Sequence, residues 1–209
     1  MRTRVYVDGY NLYYACLKGT PYKWLDPLAL AREQLPRNAI DKLRYFTAQV
    51  SARPHDPDQP VRQQIYFRAL GTVPEVEIHL GHFLTHAITM PDAAAWQAGR
   101  YRPVRVMKTE EKGSDVNLAS HLLMDAFEDT FEVAVIVSND SDLKEPIRLV
   151  RQRFGKKIVL LGPKSSRISG ALRPLADYIR QFGPSALART QFPAQLTDAT
   201  GTFHKPPRW

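Results

Sequence analysis

The chain is built around the stretch Val133-Ala-Val-Ile-Val-Ser-Asn-Asp-Ser-Asp-Leu143. Its apolar, mostly β-branched first half predicts a strand that is buried on both faces of a parallel sheet. A polar turn follows, and apolar residues at helical spacing come next, with Asp142 or Ser141 as the predicted N-cap. Because open α/β sheets bind ligands at the carboxyl ends of their strands, Asp140 and Asp142 are predicted to lie at a binding site. The alternative is that one of these Asp residues caps the helix and the other is solvated.

A second strand with polar residues at its end is predicted near the N-terminus. Residues 3–7 read as a strand that runs directly into Asp8, Gly9 and, two positions later, Asn11. The Asn11 amide can hydrogen-bond a carboxylate or a phosphate oxygen. An Asp-Gly turn with Asn11 as N-cap is the alternative interpretation.

A further acidic residue lies in the first turn of a predicted helix. Ser114 is the expected N-cap, and Asp115 lies two turns before the apolar Leu122, on the same helix face. That face is predicted to point at the sheet, which would aim Asp115 at the same rim. Compensation of the helix dipole is the alternative role. Asp125 and Asp129, later in the helix, are predicted to be surface charges.

Strands and helices alternate along the chain, which predicts an α/β fold. We expect a mostly parallel central sheet with helices on both faces, a three-layer α/β/α arrangement. The predicted domain covers residues 1–182, and residues 183–209 are predicted to be a basic, Pro-containing C-terminal tail. The other predicted elements are helices at 24–35, 61–70 and 172–179, strands at 42–50, 76–84 and 156–161, and an edge strand at 102–108 with Val104 and Val106 inward, after an insertion at 91–99 without clear periodicity.

Composition limits the classes of function. Lys and Arg number 29 against 21 Asp and Glu, so the net charge of +8 favours a polyanionic partner. The single cysteine, Cys16, excludes an intramolecular disulfide and a cysteine-built zinc site. No apolar run has the length of a membrane span, and no signal-peptide core is evident at the N-terminus, so we expect a cytoplasmic protein without a membrane partner.

Four carboxylates are predicted to meet at one rim of the sheet, namely Asp8, Asp115, Asp140 and Asp142. Such a cluster repels itself strongly unless cations bind. Ligands that are all oxygen select hard cations, here Mg²⁺ or Mn²⁺. A hard cation held by carboxylates in a basic protein indicates phosphodiester chemistry.

Three segments of the chain resemble the motifs of the NYN-domain (LabA-like) family, which belongs with the PIN and flap-endonuclease-like nucleases. The resemblance covers roughly residues 1–182. It implies a PIN-like fold and metal-dependent ribonuclease activity, with Asn11 beside the matching acids. The segments are Val7-Asp-Gly-Tyr-Asn-Leu12, Lys112-Gly-Ser-Asp-Val-Asn-Leu-Ala119 and Ser138-Asn-Asp-Ser-Asp-Leu143, and the acids are Asp8, Asp115, Asp140 and Asp142.

One residue departs from the family pattern. The family usually has Ser-Gly-Asp-Ser-Asp where this chain has Asn139 in place of the glycine. Because Asn tolerates positive φ better than most residues, we expect the turn to persist.

The predicted function is therefore a metal-dependent (endo)ribonuclease whose partner is RNA, and a homodimer is compatible with the sequence. Basic side chains of the 100–112 and 164–167 segments, Arg100, Arg102 and Arg105 among them, are expected to flank the acids. The residues predicted to bind substrate are Asn11, Ser138, Lys108, Lys112, Lys164 and Arg167.

Two alternatives come from other classes of protein. The first is a non-catalytic RNA-binding or regulatory module that keeps the fold. The second is a small-molecule phosphohydrolase of the haloacid-dehalogenase type. That chemistry requires an Asp two residues after the nucleophilic Asp, and Tyr10 occupies the position here.

Overall fold

A seven-stranded sheet organises the part of the chain that the computed structural model describes, residues 1–54, 56–207 and 209. Its strands are, in chain order, β1 (Arg2–Asp8), β2 (Ala39–Ala48), β3 (Val76–Pro91), β4 (Pro103–Lys112), β5 (Val133–Val137), β6 (Lys157–Pro163) and β7 (Tyr178–Phe182). Their spatial order is β4-β3-β2-β1-β5-β6-β7. Neighbouring strands pair in parallel except β3 and β4. The mostly parallel α/β sheet predicted from the sequence is confirmed.

Helices cover both faces of this sheet, which gives the three predicted layers. One face packs against α2, α3 and α7, and the other packs against α5 and α6. No helix among the described residues has the length and apolar character needed to cross a membrane. The helices are α1 (Gly9–Leu12), α2 (Pro27–Gln34), α3 (Gln59–Gly71), α4 (Ala93–Gln97), α5 (Ser114–Phe127), α6 (Lys144–Phe154) and α7 (Pro184–Arg189), with a π turn at Tyr13–Leu17 and 3-10 turns at Ser141–Leu143 and Arg173–Leu175.

Strand β5 is buried on both faces, as its composition predicts. Val133, Val135 and Val137 pack into the cluster beneath α2 and α3, while Ala134 and Ile136 pack beneath α5 and α6. Because it pairs with β1 and β6, it is interior in the sheet. The carboxyl ends of β1 and β5 therefore lie side by side.

Strands β3 and β4 form an antiparallel ribbon that extends beyond the sheet. Strand β2 pairs with β3 only as far as Gly81, and the remainder of β3 pairs with β4 alone. The segment without periodicity between them contains the short helix α4. The prediction that Val106 points inward is wrong, and Val104 is only half-buried. The reason is that this part of the ribbon has no core beneath it.

The helix predicted at 172–179 is also wrong. The chain forms a single 3-10 turn at Arg173–Leu175 and then strand β7, which pairs with β6. Asp177 fixes the change of direction, since its N–H donates to Ile158 O and its carboxylate accepts from Ile158 N–H, both at 2.8 Å. Apolar residues of the 3-10 turn and of β7 pack against the same core cluster, beneath α5 and α6. Their spacing in the sequence therefore resembles that of a helix.

The described residues after β7, 184–207 and Trp209, fold against the main sheet. Helix α7 is followed by a hairpin of β8 (Gln195–Asp198) and β9 (Gly201–His204). Phe192 and Phe203 join the core, and the Trp24 indole N–H donates to Pro193 O at 2.8 Å. The domain boundary at 182/183 stays a prediction.

Asp125, predicted to be a surface charge, is buried at 3% exposure. Its carboxylate accepts hydrogen bonds from Tyr6 and Arg44 and forms an ion pair with Arg4 at 2.9 Å. The prediction failed because strands β1 and β2 direct arginines at this face of α5. Asp129, at the end of the helix, is exposed as predicted.

Candidate functional site

Asp8 ends strand β1 and caps helix α1. Its Oδ1 accepts from Asn11 N–H and its Oδ2 accepts from Ser138 Oγ, both at 2.9 Å. Asp8 is therefore the N-cap, rather than Asn11. Gly9 is required next to it, because a Cβ at that position would lie 2.7 Å from the Tyr45 ring. The sharp start of α1 thus fixes a buried carboxylate at the strand end.

Ser138 links the end of β1 to the turn after β5. The same Oγ that donates to Asp8 accepts from Asp140 N–H at 3.1 Å. Asp140 Oδ1 in turn accepts from Asp142 N–H at 2.9 Å and caps the 3-10 turn. The predicted cap, Asp142 or Ser141, is therefore wrong. Asp140 is thus both the predicted site residue and the cap, because it precedes the turn in extended conformation. Since Asp142 is exposed, the alternative of one capping and one solvated Asp also describes this turn.

Asn139, the departure from the family pattern, connects three segments. Its N–H donates to Asn11 Oδ1 at 3.1 Å, its Nδ2 donates to Arg167 O at 2.9 Å, and its Oδ1 accepts from Ser169 N–H at 2.6 Å. Among the described non-glycine residues, positive φ occurs at Asp129 alone. The turn therefore persists without positive φ at Asn139, and the reason given for expecting it is wrong.

The start of α5 brings Asp115 to the same rim. Gly113, with φ of 99°, is the N-cap residue, so the prediction of Ser114 as N-cap is wrong. Instead, the N–H and Oγ of Ser114 donate to Glu111 Oε1 at 3.1 and 2.8 Å. Gly81 permits this packing, since a Cβ there would lie 2.4 Å from the same Oε1.

A cavity of about 540 Å³ opens where these strand ends meet. Asp142, a predicted site residue, is not part of the lining; it is exposed and its N–H donates to Asp140. Glu111, which sequence reasoning missed, is an additional carboxylate of the cavity. Its position four residues before Asp115, at the end of an alternating strand, was the available signal. The lining consists of Asp8, Tyr10, Asn11, Tyr14, Ala15, Glu111, Ser114, Asp115, Asn139, Asp140 and Ser166.

The carboxylates of the cavity perturb one another. Burial raises the pKa of Asp8, against hydrogen bonds from Asn11 and Ser138, and the charge of Asp140 raises it further. Burial, followed by the charges of Asp8, Asp140, Glu111 and Asp142, raises the pKa of Asp115 to about 6. Acidic groups with raised pKa values in a cleft are typical of functional sites.

The donor chemistry of this rim fits a hard cation. The carboxylates supply oxygen ligands alone, which suit Mg²⁺ or Mn²⁺. Across residues 1–54, 56–207 and 209, no three His, Cys, Asp or Glu side chains are grouped closely enough to hold a metal ion as they stand. Metal binding would therefore require the carboxylates of Asp8, Asp115 and Asp140 to move toward a shared ion. Without the ion, the mutual repulsion of the carboxylates opposes this movement.

The predicted basic residues fall into two groups. Lys164 and Arg167 are exposed in the loop after β6, which Asn139 joins to the cavity. Lys108 and Lys112 both form ion pairs with Glu110. Since side chains alternate along a strand, they lie on the opposite face of the ribbon from Glu111. The exposed Arg100, Arg102 and Arg105 lie at or near the end of the ribbon that carries α4.

The Asp115→Asn variant should be more stable than the parent without metal. A raised pKa means that the ionised carboxyl destabilises the fold; this penalty grows as pH rises above the ordinary Asp pKa and is complete above about 6. The melting temperature in EDTA should therefore rise at about pH 7.5, and the gain should vanish near pH 4. Asp58→Asn, at an exposed position, is the control. An equal gain at both pH values would contradict the electrostatic cause.

Comparisons with known proteins identify the family and the fold of this chain. The NYN domain family matches residues 2–183. The chain is 29% identical to 6-hydroxy-3-succinoylpyridine 3-monooxygenase HspA of Pseudomonas putida (strain DSM 28022 / S16), over 100% of this chain and 75% of that protein. It shares its fold with a protein of unknown function from Vibrio parahaemolyticus RIMD 2210633, at a TM-score of 0.56 and 18% identity over 97% and 96% of the two chains. The chain belongs to the NYN-domain family of the PIN-like nuclease superfamily.

Proposed function

We propose that this protein is a metal-dependent ribonuclease that cleaves RNA at the acidic rim, the edge of the sheet where Asp8, Asp115 and Asp140 line the cavity. The observation that carries the proposal is the convergence of Asp8, Asp115 and Asp140, from three separate segments, on one cavity of a basic protein. Helix capping alone would not require carboxylates from three segments to lie at one cavity. Membership of a nuclease-type family supports the same conclusion.

Asp8, Asp115 and Asp140 would hold the cation, with Asp142 and Glu111 adjacent to them. A bound Mg²⁺ or Mn²⁺ supplies an activated water and neutralises charge that develops on the phosphate. Ser138 orients the Asp8 carboxylate by donating to its Oδ2. Because Asn139 N–H uses Asn11 Oδ1, the amide N–H groups of Asn11 are the donors that remain for a phosphate oxygen.

The loop after β6 is proposed to hold the RNA backbone. Lys164→Ala and Arg167→Ala should each weaken RNA binding and lower the salt dependence of binding by about one phosphate contact. Arg153→Ala removes an exposed charge from the distant end of α6 and serves as control. Binding and salt slope measured by fluorescence anisotropy in EDTA check this. A salt slope unchanged in both loop variants would contradict the assignment of this loop.

Cleavage assays test the function itself. The purified chain would be incubated with labelled single-stranded and structured RNA in Mn²⁺, in Mg²⁺ or in EDTA. The proposal predicts fragments in the presence of metal and intact RNA in EDTA. Intact RNA under all conditions, together with measurable RNA binding, would instead favour a non-catalytic RNA-binding module.

A second candidate function is oxygenation of a hydroxylated N-heteroaromatic acid. The similarity to a 6-hydroxy-3-succinoylpyridine 3-monooxygenase extends over the whole chain, and an aromatic cavity with cationic side chains adjoins the acidic rim. The test is oxygen consumption with that compound and a two-electron reductant, reduced nicotinamide or flavin. Consumption that depends on the heteroaromatic acid would favour this candidate over the ribonuclease.

A further inference from the structure

A second cavity, of about 610 Å³, adjoins the acidic one. The two share Tyr10, Tyr14 and Glu111 in their linings. A molecule that occupies the second cavity therefore lies beside the carboxylates. The acidic chemistry proposed above gives no role to this larger space.

Aromatic rings form much of the wall of this second cavity. Phe83, on the ribbon, meets the Tyr10 ring edge to face with centroids 5.6 Å apart. Tyr66, also in the lining, contacts Tyr45 with ring centroids 6.2 Å apart and Trp209 with centroids 5.5 Å apart. A lining this rich in rings suits a planar, aromatic ligand, because the flat π-system of any base can stack on aromatic side chains.

Positive charge lies at the same cavity. Lys23, Arg53 and Arg62 belong to its lining, and Arg62 is paired with Asp56. Arg53 is exposed and Lys23 half-buried, so both cationic groups remain accessible to an anionic ligand. A ligand that contacts both the rings and the cationic groups is planar and aromatic at one end and anionic at the other.

We propose that the second cavity binds one nucleobase of single-stranded RNA, with Lys23 and Arg53 on the adjoining phosphate. The proposal rests on the RNA substrate proposed above and adds to it a base-binding site next to the acidic rim. Because the two cavities share lining residues, the RNA backbone beside this base would reach the cavity that Asp8 and Asp115 line. Cleavage next to an extruded base, and poor cleavage within a duplex, are the consequences.

Calorimetric titration of the whole chain in EDTA tests the base site without requiring cleavage. The probes are adenosine, guanosine, cytidine and uridine 5′-monophosphates, ribose 5-phosphate and benzoate. At least one nucleotide should bind about 10-fold or more tightly than ribose 5-phosphate, through stacking. Phe83→Ala should remove that difference and leave ribose 5-phosphate unchanged, whereas Arg53→Ala should weaken both. The control is Phe127→Ala, at an exposed ring on α5.

Equal binding of nucleotides and ribose 5-phosphate would overturn the proposal, as would full nucleotide affinity in Phe83→Ala. Binding of benzoate with no binding of nucleotides would overturn it in favour of an aromatic acid. Nucleotide binding that depends on Phe83, in a protein that cleaves no RNA, would support the base site while the ribonuclease assignment fails. Cleavage that is unaffected by Phe83→Ala, together with absent nucleotide binding, would overturn the base site while the ribonuclease assignment stands.

Discussion

The Asp140→Asn variant is expected to lose RNA cleavage by roughly 100-fold or more, the scale seen when a charge-stabilising group is removed from an active site. Asn keeps the shape of the side chain, and Asn caps helices as well as Asp does, so the hydrogen bond from Asp142 N–H survives. The anionic oxygens are lost, and a hard cation requires them. Stability in EDTA should be unchanged or higher, because one of several repelling charges is gone.

Asp92→Asn is the matched control for this variant. Asp92 also caps a short helix, accepting from Ala95 N–H at 2.8 Å, and it lies at the far end of the ribbon. Both substitutions remove one negative charge and keep a side chain that can cap its helix. A difference between their cleavage rates therefore comes from the position of Asp140 in the acidic rim. If Asp140→Asn cleaves RNA at the parental rate, the carboxylate serves only as a cap and the acidic rim is not the catalytic centre.

The largest effect on stability is expected at Asp125. The Asp125→Asn variant removes the carboxylate that the partly buried Arg4 and Arg44 share and leaves them Asp41 and Glu77 as ion-pair partners; breaking a buried pair in this way costs about 3 kcal/mol. Although burial opposes ionisation, hydrogen bonds from Arg44 and Tyr6 and the charges of the arginines hold the pKa of Asp125 below its usual value. Its contribution is therefore present above the ordinary Asp pKa and lost as pH falls through the lowered one.

Urea unfolding at about pH 7 measures this effect. Asp129→Asn, exposed on the turn that ends the same helix, is the control and should change the free energy of unfolding by less than about 1 kcal/mol. A loss at Asp125 no larger than that at Asp129 would show that the arginines are satisfied without it. Both variants should keep the acidic rim, so RNA cleavage per folded molecule should stay at the parental rate.

Local patterns predicted the elements around the site because their signals lie within a few residues. The run from Val133 to Val137 is apolar on both faces, and the polar turn after it contains Asp140. The alternation of strands and helices predicts that β1 and β5 run parallel, so that their carboxyl ends share one edge of the sheet; their direct pairing is seen in the structure. Asp8 and Asp140 could therefore be placed together from the sequence.

The features that the sequence did not reveal depend on contacts between distant segments. The partners of Asp125 lie on β1 and β2, far from it in the chain. Glu111 enters the cavity because the ribbon positions it against Ser114 and the close-packed Gly81. Leu172 and Ile179 belong to a 3-10 region and a strand, although their spacing is helical, because both pack against the α6 side of the sheet.

Calorimetric titration of Mn²⁺ into the metal-free chain tests most directly the claim that Asp8, Asp115 and Asp140 hold a divalent cation. The account predicts saturable binding by the parent and by Asp92→Asn, with affinity about 10-fold or more weaker in Asp140→Asn because a ligand charge is lost. Absence of saturable binding in the parent, or equal affinity in Asp140→Asn, would contradict it.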